Sequence, residues 1–249
     1  QSIITSKTKL VSIGFISNAI GTIHPVKEII KKTKEVKSLI HLDCAQAIQH
    51  TKIDARELDI DFLSFSSHKM YGPMGVGVFW GKEKHLNTMN PYRYGGEMIK
   101  EVALDKVSYN TIPYKFEAGT PNVGDVIGLG KAIDFIESIG LKGIETYEKE
   151  LQLYLIDELS QLEGVKIYTP RKSSAAVVSF TFDDIHSYDL GQLLDAKGVA
   201  IRTGHHCCQP LMKKLKIEGT CRASLAFYNT RDEIDSFISA LESILPLLR

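Results

Sequence analysis

The sequence has no excess of either charge: Lys+Arg and Asp+Glu stand at 30 each, and no long run of one sign occurs. That balance leaves a nucleic acid or an anionic membrane surface without an electrostatic footprint. Long apolar runs are missing too. Stretches such as Val76 to Trp80 are strand-sized, far short of the ~20 residues of a membrane span. The polar start, Gln1 to Lys9, has no apolar region of the kind a signal peptide carries. Cysteines number four, Cys44, Cys207, Cys208 and Cys221, with no C-x-x-C pair, so no metal site is expected. Adjacent Cys207 and Cys208 are poorly placed to bridge each other, and free thiols in a reducing cytoplasm are the expected setting. The absence of a G-x-S-x-G elbow removes the α/β-hydrolase arrangement. The first residue is not Met and a strand-like run begins at Leu10, which reads as a chain that starts inside a longer protein.

What is present is an alternation of short apolar runs and helical patterns. Strands are predicted at Leu10–Phe15, Leu39–Asp43, Phe62–Ser66 and Val76–Trp80. Pro25 opens a helix with Val26, Ile29, Ile30 and Thr33 at helical spacing, and a short helical piece is predicted around Asp54–Leu58. This alternation argues for a largely parallel α/β sheet. Tyr92–Glu97 and Val102–Thr111 suit a protruding loop or hairpin. Val126–Ile139 is amphipathic and stops at Gly140, and a long helical pattern covers Ile144–Leu162. Beyond it the order changes to strands at Val165–Tyr168 and Ala176–Phe182, a helix at Tyr188–Lys197, strands at Val199–Arg202 and Cys221–Phe227, and a last helix at Arg231–Leu248. That second half is an α+β module. The expected division is therefore 1–140 for a large domain and 141–249 for a small C-terminal one.

Chemistry concentrates in Asp43-Cys44-Ala45-Gln46 and in Ser66-Ser67-His68-Lys69-Met70-Tyr71-Gly72-Pro73. Each group closes an apolar strand, where open α/β sheets bind ligands. A lysine beside serine and histidine, before a Gly/Pro turn, suits an aldehyde that carries a phosphate. Lys69 can form a Schiff base, Ser66 and His68 can donate to phosphate oxygens, and an acid placed like Asp43 can keep a pyridine nitrogen protonated. A single lysine after a strand is usually a solvated charge and a single terminal Asp is often a helix cap. Together and in this order they point to a site.

These segments resemble the cofactor site of class V aminotransferases, the fold shared by cysteine desulfurases and kynureninases. The resemblance continues through Phe116-Glu117-Ala118-Gly119-Thr120-Pro121-Asn122, Arg202-Thr203-Gly204-His205-His206-Cys207 and Cys221-Arg222-Ala223-Ser224. The last two stretches are similar to SUF-type cysteine desulfurases and to the selenocysteine lyases close to them. The resemblance implies a pyridoxal 5'-phosphate (PLP)-dependent transferase fold of type I: an incomplete large domain plus the small α+β domain. It implies Lys69 as the lysine that joins the cofactor aldehyde, Asp43 as the pyridinium partner, Gln46 on the phenolic oxygen, and Ser66 and His68 on the phosphate. Thr120 would reach the phosphate of the neighbouring subunit in a homodimer. Asn18 and Arg222 would hold the carboxylate of the substrate, L-cysteine, and Cys207 would receive its sulfur as a persulfide.

Flanking His205 and His206 are expected to favour the Cys207 thiolate, since a nearby cation does so, while Gly204 gives the backbone freedom to present the thiol. The resemblance further implies a sulfur-acceptor protein of the iron–sulfur assembly pathway as partner, docking near Cys207 and the Tyr92–Ser108 loop. Neither a nucleic-acid nor a membrane partner is expected. Cys208 stands where the family usually has a small residue such as alanine, and Cys44 also occupies a usually small position. In the family a segment before residue 1 supplies a histidine stacked on the ring and further phosphate contacts. A selenocysteine lyase, a sulfinate-acting relative, and a non-catalytic fragment or partner subunit are the alternatives.

Overall fold

The computed structural model describes residues 3–249, which divide into two compact units. The first takes the N-terminal residues to Ile13, Val26–Ile48 and Ile53–Ser138. The second takes Gly14–Pro25, Gln49–Lys52 and Ile139–Arg249. Two short stretches from the front of the chain are thus built into the C-terminal unit, which a linear boundary does not anticipate.

The first unit is built on a four-stranded sheet in the order β1 (Leu10–Gly14), β2 (Leu39–Asp43), β3 (Phe62–Ser66) and β4 (Gly77–Gly81). Strands β2 and β3 run parallel, with Asp43 opposite Ser64, and β4 returns antiparallel at the edge. Helix α1 (Val26–Glu35) buries Val26, Ile30 and Thr33, three positions on one helical face. Between β2 and β3 the predicted helical piece is instead a turn. Asp54 Oδ1 accepts from the Arg56 and Glu57 N–H groups at 2.9 Å each, and Asp59 then enters the left-handed region, which stops a helix before it can propagate. A short helix α2 (Glu83–Thr88), absent from the sequence reading, follows β4. The hairpin β5 (Ile99–Val102) and β6 (Val107–Tyr109) forms its own two-stranded sheet, and α3 (Val123–Ile139) closes the unit.

The second unit is α+β. Its sheet has the order β7 (Val165–Ile167), β8 (Val177–Phe182), β10 (Thr220–Ser224), β9 (Arg202–Gly204), with every pairing antiparallel. Helices α4 (Leu141–Leu159), α5 (Ser187–Ala196), α6 (Gln209–Leu215) and α7 (Arg231–Leu248) complete it. The core joins Leu151, Leu155 and Leu159 of α4 and Phe180 of β8 to Phe237 and Leu241 of α7. Helix α7 buries Ile234, Phe237, Ile238, Leu241, Ile244 and Leu245, a stripe at helical spacing. It starts in a capping box: Glu233 N–H donates to Thr230 Oγ1 (3.2 Å) and Thr230 N–H to Glu233 Oε2 (2.8 Å). His50 Nδ1 lies 2.6 Å from Glu148 Oε2, and this pairing gives a buried carboxylate oxygen the partner it requires.

Two predicted strands end elsewhere for local reasons. The expected Val199–Arg202 strand begins only at Arg202, because Lys197 to Val199 cap α5: Val199 N–H returns to Leu194 O (2.9 Å) over a left-handed Gly198. The last strand ends at Ser224, because Asn229 Oδ1 accepts from Ala226 N–H (2.9 Å) and turns the chain.

Candidate active site

In the first unit, parallel register brings the ends of β2 and β3 together, so Asp43 and the Ser66–Lys69 segment leave the same end of adjacent strands. Asp43 is exposed and its Oδ1 accepts from Ala45 N–H (2.9 Å), a local turn that leaves Oδ2 unengaged. After Ser66 the chain tightens into a 3-10 turn, Ser67–Met70, which ends at a left-handed Tyr71 (φ 66°). Ser66 and Lys69 are half-buried on this turn and His68 is exposed. Among the described residues nothing hydrogen-bonds or ion-pairs with the side chains of Lys69, Gln46, Ser66, His68 or Thr120. The Ser67 hydroxyl is buried and has no partner among the described residues. An amine, a carboxylate oxygen, an amide and two phosphate-type donors therefore stand with unused capacity at the carboxyl end of a parallel strand pair. This donor set fits a phosphorylated pyridine aldehyde. Thr120 lies apart from it, exposed, just before α3.

In the second unit the loop after β9 presents the thiol. Gly204 (φ 105°) has a backbone only glycine adopts easily, and a Cβ on Gly219 would lie 3.0 Å from its backbone. His206 (φ 52°) and Cys207 (φ 57°) follow in the left-handed region, an arrangement costing of order 1–3 kcal/mol per residue. Three bonds hold it: Asn18 Nδ2 donates to His206 O (2.6 Å), Cys208 N–H donates to His205 O (2.9 Å), and His206 Nε2 meets Thr220 Oγ1 (2.8 Å). The result exposes Cys207. Cys208 is half-buried, whereas Cys44 and Cys221 are buried, and burial pushes both of those thiols up to about 12. Those two are inert by environment.

The two histidines part company. His205 is exposed and lines an open cavity of about 660 Å³ with His186, Tyr188 and Met212. His206 points inward at 2% exposure, and burial, with the Arg222 charge adding to it, lowers its pKa to about 4. It is neutral at ordinary pH, so the expectation that it supplies a cation to the thiol is corrected. It holds the loop instead. The cation is Arg202, which sequence reasoning left without a role: its Nη2 lies 3.7 Å from Cys207 Sγ. A basic residue five positions before the cysteine, on the strand that feeds the loop, was the available signal.

Arg222 on β10 stands directly opposite Arg202 on β9. Like charges facing across a ladder are unfavourable, and an anion between them relieves the repulsion. Burial, and then Arg202, lower the pKa of the Arg222 guanidinium. Its Nη1 donates to Asn18 O (2.8 Å) and its Nε to Ser224 Oγ (3.1 Å), so Asn18 links Arg222 to the His206 backbone. The structure thus joins four of the expected residues, Asn18, His206, Cys207 and Arg222, through one loop and its two strands. Among the described residues no group of three or more His, Cys, Asp or Glu side chains could hold a metal ion. No helix there is long and apolar enough to cross a membrane.

The described chain thus consists of an α/β unit with a lysine and an acid at adjacent strand ends, and an α+β unit displaying a thiol beside facing arginines. Residues 1–237 match the family Aminotransferase class-V, and the chain belongs to that family. It is 48% identical over 242 residues to a probable cysteine desulfurase of Halalkalibacterium halodurans, covering 97% of this chain and 59% of that protein. It is 43% identical to a cysteine desulfurase of Serratia proteamaculans, over 99% of this chain and 61% of the other. Its fold matches the crystal structure of the cysteine desulfurase CsdA from Escherichia coli with a TM-score of 0.95 at 35% identity, over 99% of this chain and 61% of that one. The fold is that of the PLP-dependent transferases. The chain spans about 60% of the length of these relatives.

Proposed function

We propose that the protein is a PLP-dependent cysteine desulfurase that converts L-cysteine to L-alanine and carries the released sulfur on Cys207 as a persulfide. The observation that carries this reading is the one exposed thiol among the described residues, held on a strained loop 3.7 Å from one arginine and beside a second. The names of its relatives support it.

When bound, PLP supplies an aldehyde that captures an amino group and a protonated ring that withdraws electrons from the substrate carbon. Lys69 would hold that aldehyde, Asp43 would keep the proton on the ring nitrogen, Gln46 would donate to the phenolic oxygen, and Ser66 and His68 would hold the phosphate. Thr120 would act on the phosphate of a second copy. Arg222 grips the substrate carboxylate with a planar two-pronged donor that Asn18 orients. Cys207 attacks the substrate sulfur as a thiolate. A bond from Cys207 Sγ to that sulfur forms, the substrate carbon–sulfur bond breaks, and its electron pair stays on the carbon, which takes a proton to give alanine. Arg202 stabilises the negative charge on Cys207 before attack. His206, neutral, is a positioning residue. His205 is exposed on the cavity side of the loop, where its Nδ1 lies 3.5 Å from Gln209 Nε2.

The homodimer is supported by exposed apolar residues on the first unit: Val126 and Ile127 of α3, and Val102 and Leu104 of the hairpin. The persulfide passes to a sulfur-acceptor protein of the iron–sulfur assembly pathway that meets the exposed Cys207 loop. The test uses the native-length protein with PLP. Visible absorbance from the cofactor joined to Lys69, alanine production from L-cysteine, and sulfane sulfur on Cys207 are expected. Lys69→Ala loses the absorbance, whereas Cys207→Ala keeps it and loses the persulfide. Alanine formation at the native rate by Cys207→Ala refutes the assignment.

A further inference from the structure

Cys208 has no part in the reaction just described, yet its backbone is fixed as firmly as that of Cys207. Its N–H donates to His205 O (2.9 Å), and its carbonyl accepts from the N–H groups of Leu211 (3.1 Å) and Met212 (3.3 Å) at the start of α6. Cys207 is exposed and Cys208 is half-exposed. Two thiols that reach the surface thus sit on one rigid turn. We propose that Cys208 is a relay thiol, which takes the sulfane sulfur from the persulfide on Cys207 and holds it one residue further along the chain. The inference rests on the desulfurase reading.

Geometry separates this step from disulfide formation. Adjacent Cα atoms lie about 3.8 Å apart, short of the roughly 4.4–6.8 Å that a disulfide normally spans. Direct closure of Cys207 on Cys208 is therefore strained. Attack on the outer sulfur of a persulfide is different. It places the sulfane atom in line between the two Sγ atoms, which then stand about 4 Å apart, two sulfur–sulfur bond lengths of about 2 Å each. Side chains on adjacent residues can span that separation without closing a strained disulfide ring.

Charge sets the direction. Arg202 Nη2 lies 3.7 Å from Cys207 Sγ, and among the described residues no cation contacts the Cys208 sulfur. The thiolate that leaves Cys207 is the stabilised one, and a stabilised thiolate leaves faster. Cys208 gives its thiol proton to solvent and attacks the outer sulfur. The bond between Cys208 Sγ and the sulfane sulfur forms, the bond from that sulfur to Cys207 Sγ breaks, and the electron pair remains on Cys207. Nothing is oxidised or reduced overall. Cys207 is freed for a second substrate while the first sulfur stays in a half-buried position.

The test follows the sulfane sulfur by alkylation and peptide mass spectrometry on the native-length protein with PLP, after limiting L-cysteine. Label is expected first on Cys207 and then on Cys208 in the unaltered protein. It is lost from Cys208 in both Cys207→Ser and Cys207→Ala, and confined to Cys207 in Cys208→Ser. Sulfur that stays on Cys207 at every time in the unaltered protein overturns the relay, as does equal labelling of Cys208 without Cys207. Should L-cysteine load neither thiol, the desulfurase reading fails, and inorganic polysulfide then tests the relay alone. Loss of Cys208 loading in Cys207→Ser supports it, and unchanged loading refutes it.

Discussion

Protonation of His206 is opposed by its surroundings, and the opposition sets a measurable pH dependence. Its Nε2 faces Thr220 Oγ1 (2.8 Å) and Thr220 O (3.1 Å), while the buried Nδ1 has no partner among the described residues. A backbone carbonyl only accepts, so Nε2 carries the proton and Nδ1 is bare. A second proton would sit on Nδ1 without an acceptor, close to Arg222 and Arg202. Burial first, and the Arg222 charge second, lower the pKa from 6.5 to about 4. In the unfolded chain the imidazole titrates at its ordinary value, so that state takes the proton first. The stabilisation is therefore full above pH 6.5 and is lost as pH falls towards and through about 4.

A depression of that size corresponds to about 3 kcal/mol, of which about 2 kcal/mol is gone at pH 5. Two measurements check it. Side-chain NMR of nitrogen-labelled histidine should show His206 neutral at about pH 5. Urea unfolding at about pH 7 and pH 5 should show the native sequence losing about 2 kcal/mol more than His206→Gln. A ring that titrates near its ordinary value, or equal losses in the two proteins, would refute the assignment of His206 as a buried neutral brace for the thiol loop.

Arg222→Lys should raise KM for L-cysteine about tenfold or more, because an ammonium cannot reproduce the planar two-pronged grip. Steady-state kinetics checks this, and an unchanged KM removes Arg222 from substrate binding. Phe180→Ala should destabilise the second unit by about 3–5 kcal/mol. Phe180 is fully buried, with the rings of Phe182 and Phe237 centred 5.9 and 6.1 Å away. A loss under about 1 kcal/mol in urea unfolding would show that the core is not centred there.

Much was legible in the sequence because it depends on neighbours along the chain. Strands Leu39–Asp43 and Phe62–Ser66 were read with the bounds the structure has, since each is a short apolar run that ends at a polar group. Helix α7 was read at Arg231–Leu248, the bounds it has in the structure, whereas the capping box that starts it came from the structure. The order Asp43, Gln46, Ser66, His68, Lys69 puts the candidate cofactor residues at or just beyond the ends of their strands. Short helices were not legible: α2 and α6 span only 6 and 7 residues, too few for a periodic signal.

Tertiary structure decided what depends on residues far apart in sequence. Two adjacent histidines look alike in a string. Only the left-handed turn through His206 and Cys207, together with Thr220 fourteen positions on, sends one ring inward and neutral and leaves the other in solvent. The same turn makes one cysteine of four exposed, and the β9–β10 register sets Arg202 against Arg222. Gly14–Pro25 and Gln49–Lys52 join the C-terminal unit through such pairings as Ile23 N–H to Ser173 O (2.8 Å) and His50 with Glu148. Local chemistry is written in the order of residues, whereas burial and charge are set by what the fold brings alongside.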